Sequence, residues 1–510
     1  MTQTGPLAAS AGALLRAVPI GPAFDDRRAM PAHSMTRTTV NCATAPCGVG
    51  KTLKAASEMA LRAGRYLYVI DRRDVAASRI SLIEQFAAAY GTDPLIVPIY
   101  SRSPQHPEGS LGVRRAIREA GTGYGMLDHV VVVATAEAMQ SSDLSTYVGW
   151  TAIIDEVPAT WAHQTLKTRL SWGFFRDHYN LIPSAEHAGW SRVQAKADAP
   201  SAADYYADDL LGDLAAFHRR VRTGSVVANL TCWEDAASAT GWQWFSAWNP
   251  LQLSSFRRVI LLGNAAEQST FVQVAQARHG DAIRFQTFAL TSPLDYAPRT
   301  FRIEYFASEH TAGTHFWTKT AAGAKAIESV AAWLAANSPG SDEHYVSSNT
   351  YHQQAFRAVP GRHVSPRVCG ENGLSSMHTG SFVYSAKIGP QEAAAFDLLG
   401  IPPEAVVRAR EGEDLIQMAW RGSLRVAHDP RPFVFRVYDR VQAEFLRDYA
   451  HSLGLPIAVD LRHIDIGIDT IERPRRGPAS KYASAEERAV AIRQQKRDSM
   501  RRKRAGNRTE

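Results

Sequence analysis

One short segment, APCGVGKT at positions 45–52, constrains the chain more than any other. It follows an apolar run, TTVNCATA, and precedes a helical pattern, LKAASEMALRAG, that ends at Gly64. A glycine-rich loop between a strand and a helix aims backbone N–H groups at phosphates, and its lysine and hydroxyl serve the terminal phosphates and Mg²⁺. The segment therefore predicts ATP and Mg²⁺ as ligands. The predicted nucleotide-binding residues are Ala45, Pro46, Cys47, Gly48, Val49, Gly50, Lys51, which would reach the β- and γ-phosphates, and Thr52, which would ligate Mg²⁺.

A second apolar run, residues 152–156, ends in the acidic pair Asp155 and Glu156. Hydrolysis of a nucleoside triphosphate needs a strand that delivers carboxylates beside the magnesium. Asp155 would hold Mg²⁺ through water, and Glu156 would polarise the attacking water. An Asp-Glu pair at a strand end is often only a solvated turn, but together with the loop it predicts a catalytic pair.

Short apolar runs alternate with helical stretches in two successive blocks. Such alternation predicts an α/β fold with mostly parallel sheets covered on both faces. We expect strands at RYLYVI, HVVVVATA, TAIIDEV and RRVILLG in the first block, and at FRIEYFA, HYVSSN, GSFVYSAKIG and PFVFRVYD in the second. The predicted divisions are a flexible leader at 1–36, a first domain at 37–295, a second domain at 296–470 and a basic tail at 471–510.

An insertion at about 160–255 of the first domain is rich in tryptophan. Aromatic residues at this density more often pack in a core or at a domain interface than form a platform for stacked bases. Packing is therefore the favoured interpretation, and base stacking is the minor one. The tryptophans concerned are Trp161, Trp172, Trp190, Trp233, Trp242, Trp244 and Trp248.

A polar pattern in the second block, from Asp414 to Arg425, predicts a helix with three functional groups on one side. Gln417, Arg421 and Arg425 are spaced four residues apart, which places them on one face of a helix. Coupling hydrolysis to movement requires arginines that reach the γ-phosphate from another domain. The predicted catalytic residues are therefore Lys51, Asp155, Glu156, Gln417, Arg421 and Arg425, with Thr52 and Asp155 at the metal.

The positive charge of the chain lies at its end. Residues 472–510 carry thirteen Lys/Arg and five Asp/Glu, whereas the whole chain has a net charge of +7. Ser484 and Glu487 form a capping box, so part of this tail could be a helix that needs a partner to stay folded. A solvated arm is the usual state of such a segment, and a phosphate backbone is the partner that would gain most from it.

The cysteines and the first residues indicate the compartment. Cys42, Cys47, Cys232 and Cys369 form no C-x-x-C pair, so neither a zinc site nor a disulfide framework is expected. The first thirty residues lack the ordered regions of a signal peptide, and no apolar run is long enough for a transmembrane helix. We expect a soluble protein in the cytoplasm of a bacterial or phage-infected cell.

These motifs resemble those of the superfamily 2 DEAD/DEAH-like helicases, especially the divergent members of phages, mobile elements and viral origin-binding proteins. The segments 45–52 and 153–157 are similar to motifs I and II, and QMAWRGSLR at 417–425 is similar to motif VI. The segments 257–266 and 370–372 lie where motifs III and V would be. The resemblance implies two RecA-like domains with ATP between them, and single-stranded nucleic acid across their tops. It implies an ATP-dependent helicase or translocase in which Arg421 is the favoured arginine finger. Its substrate would be nucleic acid, with single-stranded DNA favoured and RNA as the alternative, in replication or in phage or mobile-element DNA metabolism.

The same resemblance implies contacts with the nucleic-acid backbone at positions that follow predicted strands. Such contacts grip the strand without reading its sequence. Each residue could equally cap a helix or lie in a solvated loop. The positions are Arg72, Arg73, Thr135, Ser348, Asn349 and Asn372.

Two other functions fit parts of the sequence. A DNA-packaging motor of the terminase type would place a metal-dependent nuclease after one ATPase domain, with Asp460, Asp465 and Asp469 as candidate ligands. A nucleic-acid-binding factor that uses ATP only as a conformational switch would bind ATP without turnover.

Overall fold

The computed structural model describes residues 37–45, 47–101, 110–166, 176–183, 190–200, 214–222, 226–229, 242–289, 296–366 and 373–472. The strands are β1 (Thr38–Thr44), β2 (Arg65–Ile70), β3 (Leu95–Ile99), β4 (Val130–Thr135), β5 (Thr151–Asp155), β6 (Trp161–Leu166), β7 (Tyr179–Pro183), β8 (Trp190–Ala195), β9 (Val226–Asn229), β10 (Trp242–Ala247), β11 (Arg258–Gly263), β12 (Ile283–Ala289), β13 (Arg299–Ala307), β14 (His344–Ser348), β15 (Arg362–His363), β16 (Thr379–Val383), β17 (Phe433–Asp439) and β18 (Ile457–His463). The α-helices are α1 (Lys51–Leu61), α2 (Ala76–Tyr90), α3 (Ser110–Gly123), α4 (Ala136–Gln140), α5 (Leu214–Arg222), α6 (Thr270–His279), α7 (Thr314–Lys319), α8 (Ala321–Asn337), α9 (Pro390–Asp397), α10 (Pro403–Val407), α11 (Glu413–Ala419) and α12 (Arg440–Ser452).

The first domain is built on a seven-stranded sheet in the order β12-β1-β11-β5-β2-β4-β3, and every neighbouring pair is parallel. Both faces of this sheet are buried, as β4 shows. Val130 and Val132 belong to one apolar core, while Val131 and Val133 belong to the core on the opposite face. A strand buried on both sides needs a continuous apolar run rather than alternation, which is what the sequence has here.

The second domain has a six-stranded sheet in the order β15-β14-β16-β17-β13-β18, again with only parallel pairs. Its strands also contribute to two cores, because Phe382 lies on one face and its neighbour Val383 on the other. Two tandem parallel sheets with helices confirm the α/β class predicted from the sequence.

The Trp-rich insertion contains a separate antiparallel sheet, β6-β10-β9-β8-β7. The chain enters it directly after β5 and leaves it before β11, so both of its ends join the first parallel sheet. Trp161 stacks on Phe245 within the insertion, with ring centroids 5.0 Å apart, and on Phe396 of α9 in the second domain, at 4.6 Å. Trp190 and Trp244 are also buried. These tryptophans pack as expected, and Trp161 joins the insertion to the second domain.

The helix predicted through Asp414–Arg425 is wrong in its second half. α11 ends at Ala419, and a turn leads to a short 3-10 helix at Ser423–Arg425. The cause lies at Gly422, which is extended (ψ −164°) and lies so close to the Phe433 ring that a Cβ would collide with it. Gln417 is therefore on the helix, whereas Arg421 and Arg425 follow it on the turn and the 3-10 helix.

Several predicted features lie outside the described residues: the leader at 1–36, Pro46, Trp172, Trp233, Asn372 and the tail from 473 onward. None of the helices in the described ranges is long and apolar enough to cross a membrane.

Candidate functional site

The predicted nucleotide-binding residues lie at the carboxyl ends of neighbouring strands. β11 lies between β1 and β5, with Gly263 beside Thr44 and Leu262 beside Asp155. Because the strands are parallel, the loop after β1 and the acidic pair at the end of β5 meet at one edge of the sheet. This edge is where open parallel sheets bind ligands.

The phosphate-binding loop has the backbone that the motif requires. Gly48 and Gly50 have φ values of 86° and 84°, a left-handed conformation that other residues rarely adopt. Lys51 Nζ donates a hydrogen bond to the Ala45 carbonyl (2.7 Å), so its ammonium group lies over the loop. Thr52 Oγ1 lies 3.0 and 3.1 Å from the two oxygens of Asp155. A hydroxyl beside a carboxylate is a suitable set of oxygen ligands for Mg²⁺, so the residues fit the predicted metal.

Asp155 has two further partners that the sequence analysis missed. Its side chain is buried, and its Oδ2 accepts a hydrogen bond from Tyr68 OH (2.7 Å) and lies 3.4 Å from Arg79 Nε. Tyr68 is in β2 and Arg79 is in α2, so only the neighbouring position of β2 and β5 brings them to the carboxylate. The tyrosines of the run YLYVI were the available signal, because a buried tyrosine hydroxyl needs a polar partner.

Glu156 follows β5 in an unusual backbone conformation. Among the described residues it is the only non-glycine residue with positive φ (81°). Its N–H donates to the Leu262 carbonyl (3.1 Å), which fixes the turn against β11. Strained backbone of this kind persists only where the surroundings enforce it, and it is common at catalytic positions.

The carboxyl group of Glu156 is difficult to ionise. Burial raises its pKa to about 7, and the carboxylates of Asp155 and Glu413 act in the same direction. Lys51 and Arg421 partly offset this effect. A carboxyl group with a pKa near neutrality is suited to accept a proton at physiological pH.

The second domain supplies polar groups that meet Glu156 across the domain cleft. Gln417 Nε2 lies 3.4 Å from Glu156 Oε2 and donates to Glu413 Oε1 at 3.0 Å. Asn264, at the end of β11, donates from Nδ2 to Glu413 Oε2 (3.2 Å) and accepts from Tyr449 OH (2.7 Å). The two domains are thus joined by a network that begins at the candidate catalytic carboxylate. Gln417 was predicted here from the sequence, whereas Asn264, Glu413 and Tyr449 were not.

The two candidate arginines lie on the same side of the cleft. Arg425 packs directly on the phosphate-binding loop, since a Cβ added to Gly48 would come within 2.9 Å of its Cβ. Arg421 acts electrostatically on both Glu156 and Cys47. Burial raises the pKa of the Cys47 thiol to about 12, so this loop residue stays neutral. The structure therefore brings Lys51, Thr52, Asp155, Glu156, Gln417, Arg421 and Arg425 together around one cleft.

The predicted nucleic-acid contacts in the first domain have structural partners. Arg72 lies near Asp71 and Asp74, at 4.0 and 3.4 Å, and Arg73 is exposed. Thr135 caps α4, with its Oγ1 accepting the Ala138 N–H (3.3 Å). These contacts neither require nor exclude binding of a phosphate backbone, so the roles stay predictions.

In the second domain, Asn349 joins the ends of two strands. Its side chain donates to the Ser385 carbonyl and accepts the Ser385 N–H, both at 2.9 Å. Ser348 Oγ lies 3.4 Å from the Asn349 carbonyl. Both residues lie at the carboxyl end of β14, and their role in binding nucleic acid stays a prediction.

The candidate nuclease residues are held in separate structural interactions. Asp460 pairs with Arg302 and Arg462, each at 3.0 Å. Asp469 accepts backbone N–H groups of Ser308 and Glu309, and Asp465 accepts that of Gly467. Within the described ranges no group of three His, Cys, Asp or Glu could hold a metal ion.

No protein-family model matches the sequence, and no curated protein matches it. Similar solved structures include an XPD helicase, 9% identical over 84% of this chain and 96% of that chain, with a TM-score of 0.48. S. cerevisiae Dbp5 bound to RNA and ADP BeF3 is 10% identical over 90% of this chain and 94% of that chain, with a TM-score of 0.34. The DUF1998 helicase MrfA bound to DNA is 9% identical over 86% of this chain and 51% of that chain, with a TM-score of 0.31. At such values the similarity assigns no activity to this chain and no role to any of its residues.

Proposed function

We propose that this chain is an ATP-driven helicase or translocase that binds ATP between its two α/β domains and moves along nucleic acid. The observation that carries the proposal is the contact of Gln417, in the second domain, with Glu156 beside the phosphate-binding loop of the first. A nucleotide in this cleft would touch both domains, so its hydrolysis would change how they meet.

The residues at the cleft divide the chemistry between them. Lys51 and the loop N–H groups would hold the phosphates, and Thr52 and Asp155 would hold Mg²⁺, which supplies positive charge to the phosphate oxygens. Glu156 would accept a proton from the attacking water as the oxygen of that water bonds to the γ-phosphorus and the bond to the β-phosphate oxygen breaks. Arg421 would offset the charge that develops on the γ-phosphoryl group.

The contacts between the two domains would couple ATP hydrolysis to movement along the nucleic acid. The contacts of Gln417 with Glu156 and of Glu413 with Asn264 join the two domains, so opening the cleft would break them. Cycles of closure and opening would shift the grip of the two domains on a strand lying across the carboxyl ends of their sheets. The nucleic acid that we favour as the substrate is single-stranded DNA, in replication or in phage or mobile-element metabolism. The basic tail would add affinity for nucleic acid that depends on the salt concentration.

ATP turnover with different nucleic acids tests this proposal. We expect single-stranded DNA, duplex DNA or RNA to stimulate hydrolysis by the full chain, with single-stranded DNA most effective, and Lys51→Ala to abolish both basal and stimulated turnover. ATP binding with negligible turnover under every condition would instead identify a switch. Turnover that no nucleic acid changes would contradict a motor, and unchanged turnover by Lys51→Ala would contradict the role of the loop.

The pH dependence of kcat/KM tests the role of Glu156 as a base. Only the ionised carboxylate accepts a proton, so kcat/KM should rise with pH below about 7 and level off above it. The matched control is Glu413→Gln. Because the Glu413 carboxylate raises the pKa of Glu156, its removal should shift the rising limb to lower pH. Titration of the substrate would leave that limb in place, so an unmoved limb would contradict the assignment.

A further inference from the structure

The turn that carries the two candidate arginines follows α11, and we call residues 420–427 the arginine turn. Several of its internal backbone hydrogen bonds join residues close together in the chain. Arg425 N–H donates to the Gly422 carbonyl (3.3 Å), and Val426 N–H donates to the Ser423 carbonyl (2.9 Å). Such bonds shape a turn but do not fix its direction relative to the sheet of the domain. Contacts with other elements must therefore set that direction.

Arg299, the first residue of β13, makes contacts of this kind. Its Nη1 donates to the Ser423 carbonyl (2.8 Å) and to the Val426 carbonyl (3.4 Å), and its Nη2 donates to Ser423 Oγ (3.1 Å). Nη2 also donates to the Arg431 carbonyl (2.8 Å), beyond the turn. One planar guanidinium group thus joins the start of the 3-10 helix that carries Arg425 to the residue that follows this helix.

The contact between Arg299 and the arginine turn is buried. Arg299 is only 5% exposed, and Ser423 is fully buried. Ser423 Oγ also lies 3.0 Å from His378 Nδ1, so its side chain is held from two sides. Burial lowers the pKa of Arg299, and the Asp429 carboxylate opposes this shift. Buried carbonyls need donors, and a charged donor forms the stronger hydrogen bonds, so loss of the guanidinium group would loosen the turn.

The same turn is bound to segments that lead into the second sheet. Ala297 N–H, two residues before β13, donates to the Ala427 carbonyl (2.8 Å). Ser423 N–H donates to the Met377 carbonyl (2.9 Å), two residues before β16. Strands β13 and β16 both pair with β17. The arginine turn would therefore move together with this sheet when the cleft closes.

We propose that Arg299 is a positioning residue for the arginine finger: it fixes the arginine turn to the first strand of the second domain and so sets the direction of Arg421. The inference rests on the proposed function, which makes Arg421 the finger. All the contacts described for Arg299 lie within the second domain, so it would act on ATP only through the turn. Stabilisation by a finger depends on its exact placement, and a shift of about 1 Å can cost about 10²-fold in rate.

Single-turnover ATP hydrolysis by the full chain, without nucleic acid, tests this inference. Arg299→Gln shortens the side chain and removes the fork of donors, so the rate should fall by about 10- to 100-fold. Affinity for a non-hydrolysable ATP analogue should fall by less than about tenfold, since the phosphate-binding loop is intact. Arg299→Lys should recover part of the rate, because an ammonium group can still donate to the Ser423 carbonyl. Ser423→Ala keeps that carbonyl and should lose less rate than Arg299→Gln.

A double-mutant cycle with Arg421→Ala separates positioning from general damage to the domain. If Arg299 acts through Arg421, the variant with both Arg299→Gln and Arg421→Ala should hydrolyse ATP within about threefold of the rate of Arg421→Ala alone. A residue that only keeps the domain folded would lower the rate by the same factor in either background. Losses that multiply would therefore overturn the inference. If Arg299→Gln does not fold, the same cycle with Ser423→Ala decides the question.

Arg302→Gln is the matched control. It makes the same substitution three residues further along β13, at an arginine whose side chain is 35% exposed and pairs with Asp460 at 3.0 Å. We expect it to keep the hydrolysis rate within about twofold of the wild type, because a partly exposed ion pair contributes little. Equal losses for Arg302→Gln and Arg299→Gln would show that any change in β13 has this effect, and would overturn the inference.

The outcomes separate this inference from the proposed function. If Arg421→Ala loses the rate while Arg299→Gln behaves like Arg302→Gln, the positioning role is overturned and the proposed function stands. If Arg421→Ala stays within about tenfold of the wild type, Arg299 has no finger to position, and the inference fails with the choice of finger. The cycle uses turnover without nucleic acid, so it decides the role of Arg299 even if nucleic acid fails to stimulate hydrolysis and the motor is contradicted.

Discussion

Glu156→Gln is expected to lower kcat for ATP hydrolysis by about 10²–10⁴-fold, the usual contribution of a general base. Glutamine has the same shape as glutamate but cannot take a proton from water. The change also removes a carboxylate whose pKa is raised to about 7 by burial, so the folded state loses an unfavourable charge. The thermal midpoint should therefore stay the same or rise, and binding of a non-hydrolysable ATP analogue should be retained.

Glu413→Gln serves as the control for this substitution because it lies in the same network, within hydrogen-bond distance of Gln417. It removes a carboxylate that is not placed to accept the proton, so kcat should fall much less than in Glu156→Gln. Single-turnover hydrolysis and analogue binding measure the two effects separately. Equal losses in kcat for the two variants would show that the network as a whole, rather than Glu156 as a base, limits hydrolysis.

The sequence was sufficient to predict the parts of the site that are built from residues close together along the chain. The phosphate-binding loop needs glycines, a lysine and a hydroxyl in a fixed local order, and the structure gives Gly48 and Gly50 the backbone that this order predicts. The parallel sheets could also be predicted, since strands buried on both faces leave continuous apolar runs such as Val130–Ala134.

Contacts between distant segments could not be predicted in the same way. Tyr68 reaches Asp155 only because β2 lies next to β5, an order that no local pattern records. Asn264 and Glu413 meet because the two domains face each other across the cleft, which no local pattern records either. The helix predicted through Arg425 ends at Ala419 instead. Close packing of Gly422 on Phe433 prevents the helix from continuing, although the four-residue spacing favours it.

Ending the helix at Ala419 also changes what the two arginines can do. A single helix would hold Arg421 and Arg425 at one fixed spacing, whereas the observed turn lets them differ in direction. Arg425 is packed against Gly48 and is therefore tied to the loop in the closed arrangement. Arg421 acts electrostatically on Glu156, beside which the γ-phosphoryl group would lie during hydrolysis. This division favours Arg421 as the residue that responds to the transition state.

Arg421→Ala is accordingly expected to lower kcat by about 10³-fold or more, as loss of an arginine finger does, with a much smaller effect on ATP affinity. Arg421→Lys should recover only part of the rate because an ammonium group lacks the paired donors of guanidinium. Arg425→Ala should weaken nucleotide binding more than it lowers the rate at saturating ATP, because its side chain starts from the loop itself.

Arg462→Ala is the matched control for these variants, since Arg462 is a half-exposed arginine of the same domain paired with Asp460 on β18. It should leave both kcat and ATP affinity unchanged. Measuring single-turnover rates and analogue affinity for all four variants separates transition-state stabilisation from binding. If Arg425→Ala loses the rate while Arg421→Ala stays within about tenfold of the wild type, the finger is Arg425. If neither variant loses more than the control, the second domain does not complete the ATP site, and closure of the cleft cannot be the step that drives movement.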